Sequence, residues 1–136
     1  MEMDREFVMS RIPHREPFLM VDGVIEMGTS HIKAFKDINE KLEVFKGHFP
    51  NYPIYPGVLI IEGLAQTAGV LLLEPGSTPL FAGIEKARFR GQVRPPCVLE
   101  YEVKVIQTKM GVVKVEAMAS VEELPVAEAV LLLARA

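Results

Sequence analysis

Polar and apolar positions alternate through much of the second half of the chain. Within residues 98–108, Tyr101, Val103 and Val105 alternate with Glu100, Glu102 and Lys104, the period of two expected for a strand with one wet face. Residues 112–120 alternate similarly after a predicted turn at Met110 and Gly111. Residues 125–136 form a more continuous apolar run, which predicts a central strand covered on both faces. A further strand is predicted over residues 79–90. Nearer the N-terminus, residues 18–27 and 31–38 predict two strands joined by the turn residues Gly28, Thr29 and Ser30. Ahead of them, residues 4–10 predict a short helix with Asp4 as N-cap and Pro13 ending the segment. Residues 39–56, punctuated by Gly47, Pro50, Pro53 and Pro56, predict a loop.

Between loop and strands lies one long helix, predicted over residues 57–73. Pro56 marks its start, because a proline's missing N–H is no loss in the first turn, and Pro75 and Gly76 stop it. Val58, Leu59, Ile60, Ile61, Leu64, Ala65 and Ala68 place apolar surface on every face, and such a helix must be enclosed. Five or six antiparallel strands and one enclosed helix are satisfied most economically by a sheet that wraps the helix.

The 136 residues predict a single domain spanning 1–136. Hydrophobic residues make up 49%, as in a core-rich globular chain. A net charge of −3 argues against a nucleic-acid binder that works by neutralising phosphates. The lone cysteine permits no intrachain disulfide and fits a reducing cytoplasm. The first residues lack the apolar core of a signal peptide. Residues 58–73 are short for a membrane span and carry Glu62 and Gln66, so no membrane insertion is expected.

The chemistry concentrates in GHFPNYPIYPGVLIIEGLAQ, residues 47–66. It sets His48 in a proline-rich loop and one carboxylate, Glu62, inside the apolar helix. An unpaired carboxylate there is costly, and a His and a Glu converging in an apolar pocket can move protons. Gln66 lies four residues beyond Glu62, on the same helix face. The plainer alternatives are a satisfied loop histidine for His48, an interface ion pair for Glu62 and an internal hydrogen bond for Gln66.

Other residues carry weaker signals. Lys86, Arg88, Arg90 and Arg94 alternate as a basic stripe, or as an ordinary solvated strand face. His14 and Arg15 sit between Pro13 and Pro17, where packing and loop anchoring are expected. His31 is expected on an exposed strand, and Cys97 as a structural thiol. Phe18, Phe49, Tyr52, Tyr55 and Phe81 line a tunnel or fill the core. The histidines show no metal-ligand spacing and there is no Gly-rich phosphate loop, so neither a metal nor a cofactor is expected.

Four segments together, IPHREPFLMVD, GHFPNYPIYPGVLIIEGLAQTAG, KARFRGQV and PVAEAVL, resemble the bacterial (3R)-hydroxyacyl-(acyl-carrier-protein) dehydratases of type II fatty-acid synthesis. The resemblance implies an α+β hotdog fold, with an antiparallel sheet of about six strands wrapped around a long central helix. It implies a cytoplasmic homodimer with active sites at the subunit interface, often a trimer of dimers. It places His48 and Glu62 on the catalytic positions and Gly57 on the glycine whose N–H binds the thioester carbonyl. Gln66 falls beside the catalytic carboxyl. It names an acidic acyl carrier protein as partner, for which the basic stripe would be the docking site. A sibling group that also isomerises its product carries aspartate where this chain has Glu62, which favours dehydration alone. One departure is Pro95-Pro96-Cys97, where the family commonly has Pro-Gly-Asp; it bears on acyl chain length. A hotdog thioesterase and a non-catalytic acyl-binding module are the competing readings, and the joint presence of His48 and Glu62 counts against both.

Overall fold

A computed structural model describes residues 3–74 and 76–135. The first helix, α1 (Arg5–Arg11), is capped by Asp4, whose side chain accepts from the Phe7 N–H at 3.1 Å, as the sequence predicts. Strands β1 (Gly23–Met27) and β2 (His31–Ile38) form a hairpin across residues 28–30. The following loop contains one element absent from the sequence reading, a short 3-10 turn at Glu43–Lys46. Helix α2 (Gly57–Leu72) follows, then β3 (Pro79–Phe89), β4 (Cys97–Lys109), β5 (Val112–Val121) and β6 (Leu124–Arg135). The predicted stop at Pro75 lies outside the described residues.

The six strands form one antiparallel sheet in the order β1-β2-β4-β5-β6-β3. The inner face packs on α2. Residues Ile60 to Leu71 of that helix are buried apart from Glu62, which is half-buried. Leu99, Tyr101 and Val103 of β4, Val115, Ala117 and Ala119 of β5 and Ala127, Ala129 and Leu131 of β6 close over it. The alternation read in β4 and β5 is therefore the inward and outward alternation of the sheet. Met110 and Gly111 join β4 to β5 with φ of 53° and 79°, the positive pair of a type I′ hairpin turn.

Three expectations are corrected. Residues 18–22 lie outside β1, because Pro17 precedes them and the amide of Gln66 takes the Phe18 carbonyl and the Met20 N–H that a ladder would have used. β6 lies between β5 and β3 but is covered on one face only; Glu128, Val130 and Leu132 on its outer face are half-buried, since no second layer of described residues lies over that side. The basic residues do not share one strand. Lys86 and Arg88 belong to β3, Arg90 follows it and pairs with Glu128 at 2.7 Å, and the Arg94 guanidinium stacks 4.3 Å from the ring centre of Tyr52.

Two smaller points differ as well. His31 is half-buried and bonded to Glu102 at 2.8 Å, which holds the Glu102 carboxyl below its ordinary range. Of the five aromatic residues, only Tyr55 is core; Phe18, Phe49, Tyr52 and Phe81 stay exposed. Cys97 is half-buried on β4, and burial pushes its thiol pKa up, which makes it a poor nucleophile.

Candidate active site

The loop ahead of α2 holds His48 by its backbone and its ring together. The His48 N–H donates to the Val44 carbonyl at 3.1 Å, and its carbonyl accepts from Ile54 N–H at 3.1 Å. The ring Nδ1 lies 2.8 Å from the Ile54 carbonyl. A carbonyl only accepts, so Nδ1 carries a proton, and in the neutral ring Nε2 presents the lone pair. The Phe49 ring stacks on the imidazole, centroids 4.0 Å apart.

Helix α2 begins at Gly57 without a side-chain cap, because Pro56 occupies the capping position. Neither Gly57 N–H nor Val58 N–H meets a hydrogen-bond acceptor among the described residues. Unpaired N–H groups at a helix start, with the positive end of the macrodipole behind them, suit a developing anion. A Cβ at 57 would come 2.7 Å from Cε1 of Phe89 on β3, so a larger residue there has to displace that exposed ring.

On the second turn of α2, Glu62 is half-buried and its Oε2 accepts from Gln66 Nε2 at 2.9 Å. Gln66 is almost fully buried and uses its whole amide: the same Nε2 donates to the Phe18 carbonyl at 2.8 Å, and Oε1 accepts from Met20 N–H at 2.7 Å. His14 stands beside Glu62, with Nε2 3.7 Å from Oε2. Its ring stacks on Phe18, and burial lowers its pKa, outweighing the opposing pull of Glu62. A cavity of about 30 Å³, close to one water's share of the liquid, is lined by His14, Glu62 and Gln66 with Leu80, Phe81 and Leu133.

Within one chain, Glu62, Gln66 and His14 therefore converge, whereas His48 shares no hydrogen bond or ion pair with Glu62 among the described residues. Arg15 anchors its segment as expected, donating to the carbonyls of Met9, Ile12 and His14. The proximity of His14 to Glu62 was missed in the sequence. The two lie 48 residues apart, and only the rigid Pro13–Pro17 frame hinted at a fixed ring. No group of three or more metal-ligating side chains occurs among the described residues, and no described helix is long and apolar enough to cross a membrane.

A helix wrapped by a six-stranded antiparallel sheet defines the hotdog class. The dehydratase heterocomplex ApeI:P of Xenorhabdus doucetiae has the same fold, with a TM-score of 0.81 at 17% identity over 95% of this chain and 90% of that one. The FabA-like domain matches residues 12–130, and the chain belongs to that family. Its relatives include two proteins named 3-hydroxyacyl-(acyl-carrier-protein) dehydratase FabZ. The one from Thermotoga neapolitana is 59% identical and the one from Thermotoga petrophila 56%, each over 96% of both chains.

Proposed function

We propose that this protein dehydrates (3R)-3-hydroxyacyl thioesters carried on an acyl carrier protein to trans-2-enoyl thioesters; its relatives are named as dehydratases of 3-hydroxyacyl-(acyl-carrier-protein). The observation that carries the reading is the state of His48, whose Nδ1 is committed to a backbone carbonyl so that Nε2 is a base. In this scheme Nε2 takes a proton from the carbon next to the thioester carbonyl. The charge that develops on the carbonyl oxygen meets the Gly57 N–H at the helix start. The bond from C3 to its hydroxyl breaks, and Glu62 binds that hydroxyl and protonates it. The proton held by His48 then replaces the one Glu62 gave, so one enoyl thioester and one water result. No cofactor enters the scheme.

The two acid–base residues are supplied by two chains. β3 forms one edge of the sheet and leaves Leu80, Phe81, Ile84 and Phe89 exposed, a long apolar edge of the kind proteins cover. Pairing two such edges about a two-fold axis brings a partner's loop toward the Glu62 cavity, whose walls include Leu80 and Phe81. The working unit is a homodimer, which assembles further as a trimer of dimers, built from one domain per chain and acting in the cytoplasm.

The test is conversion of a 3-hydroxyacyl thioester, followed by enoyl formation and by thiol release. Enoyl product is expected with wild type. His48→Ala and Glu62→Gln should each lower the rate by about 10²–10⁴. Free thiol without enoyl product would instead make the protein a thioesterase.

A further inference from the structure

Glu62 makes both of its side-chain contacts through one oxygen. Gln66 Nε2 donates to Oε2 at 2.9 Å, His14 Nε2 lies 3.7 Å from the same atom, and Oε1 accepts no hydrogen bond among the described residues. We propose that His14 is a positioning residue, which together with Gln66 holds Oε2 of Glu62 so that Oε1 is presented to the leaving hydroxyl. This rests on the reading of Glu62 given above.

The tautomer follows from burial. His14 Nδ1 is buried and has no hydrogen-bond partner among the described residues. A buried N–H without an acceptor is rarer than an unsatisfied acceptor, so the proton belongs on Nε2, the atom that faces Glu62. At 3.7 Å the contact exceeds a hydrogen bond, yet an N–H dipole still acts on the carboxyl group across a cavity with apolar walls at Leu80, Phe81 and Leu133.

The ring itself is fixed. It stacks on Phe18 at 6.3 Å between centroids, and the carbonyl of Phe18 is bound by the same Gln66 amide that holds Glu62. His14, Phe18, Gln66 and Glu62 thus form one cluster, joined through the ring of Phe18 on one side and its carbonyl on the other.

Charge supports the assignment. The charged groups facing His14 are Glu62, from α2, and Arg15, from its own segment; β3 and β6 contribute Leu80, Phe81 and Leu133. Desolvation outweighs the pull of Glu62, so the ring stays neutral at neutral pH. A neutral donor orients the carboxyl group without locking it as a carboxylate, as a full cation would.

The experiment compares His14→Phe, which keeps the ring and its stacking, with His14→Gln, which restores an N–H donor at the distance of Nε2. Both are measured for enoyl formation in the wild-type and E62Q backgrounds, with pH profiles. In the wild-type background, H14F is expected to lower kcat by about ten- to hundredfold, the scale of a misplaced catalytic group. KM should change by no more than about twofold, since only a transition-state contact is lost.

H14Q should stay within about fivefold of wild type while losing any limb of the pH profile below pH ~6.5 that His14 contributes. In E62Q, H14F should add no further loss. Should H14F fail to fold, H14N, whose amide falls short of Glu62, takes its place and should show the same loss of kcat. Wild-type kcat in H14F, or an H14Q as slow as H14F, overturns the role of His14. A wild type that yields no enoyl product, or an E62Q variant of undiminished rate, overturns instead the function on which it rests.

Discussion

Gln66 and Glu62 lie one turn apart on α2, and a single 2.9 Å hydrogen bond joins them. That bond is the last link of a chain that begins at the backbone of Phe18 and Met20. Position 66 therefore carries both stability and orientation. Gln66→Leu leaves the buried Met20 N–H unpaired, at about 1–3 kcal/mol, and frees the part-buried Phe18 carbonyl. A urea-unfolding midpoint well below that of wild type is expected, and kcat should fall in the surviving folded fraction. A variant as stable as wild type would show that water replaces the amide.

The proposed division of the site between chains predicts complementation. Homodimers of H48A and of E62Q are each expected to be inactive, whereas in a mixture refolded together every mixed dimer regains one intact site. Random pairing yields about one quarter of wild-type activity, since half the dimers are mixed and each has one working site of two. Activity that stays at zero after verified subunit exchange would place His48 and Glu62 in the same chain.

Gly63 stands where α2 meets β4. A Cβ there would lie 2.4 Å from the Tyr101 hydroxyl and 2.5 Å from its Cζ. Tyr101 is fully buried and donates to the Met20 carbonyl at 2.9 Å, so it cannot swing aside without stranding that bond. Gly63→Ala is expected to cost about 1–3 kcal/mol as overpacking, read as a lowered Tm. An unchanged Tm would mean that helix and strand slide apart freely.

Lys86 and Arg88 are the members of the basic set with neither an ion pair nor an aromatic contact among the described residues; Arg90 is committed to Glu128 and Arg94 stacks on Tyr52. Reversal of both to Glu should raise KM for a substrate on an acidic carrier by about tenfold, and most at low salt. The same variant should process a small soluble thioester at the wild-type rate. Equal effects on both substrates would remove β3 from carrier docking.

His14 also predicts how folding stability responds to pH. Its folded-state pKa lies below the ordinary value of 6.5, so the unfolded chain binds the proton more readily. Its contribution is therefore fully present above pH 6.5 and is lost as pH falls through the lowered folded value. Urea midpoints measured on either side of that window should show a smaller acid-side drop in H14Q than in wild type. Identical slopes would show that other groups set the response.

Much of this architecture was legible in local sequence. The period of two in β4, the Met110–Gly111 turn, the Asp4 cap and the helix start after Pro56 are all decided by residues within a few positions of one another. What escaped is non-local. Residues 18–22 carry strand-like side chains, yet a glutamine 46 residues beyond Met20 takes their backbone groups. β6 reads as buried on both sides because its outer Val130 and Leu132 are apolar, and composition alone does not report which face lacks a covering layer. The proposed site divides the same way: His48, Gly57, Glu62 and Gln66 stand in one contiguous stretch, whereas His14 reaches Glu62 only through the fold.

Met20 accepts or donates through three of its atoms. Its N–H goes to Gln66, its carbonyl receives the Tyr101 hydroxyl, and its sulfur receives the Tyr55 hydroxyl. The segment that carries Phe18 and leads back to His14 is thus moored by side chains from three separate parts of the fold, where a sheet ladder would have fixed it by backbone alone. A backbone ladder shifts only in whole-residue steps, but a mooring can be lengthened or shortened by a single substitution at 55, 66 or 101. The position of this segment against α2 is consequently set by the reach of three side chains, while the sheet keeps a register of its own.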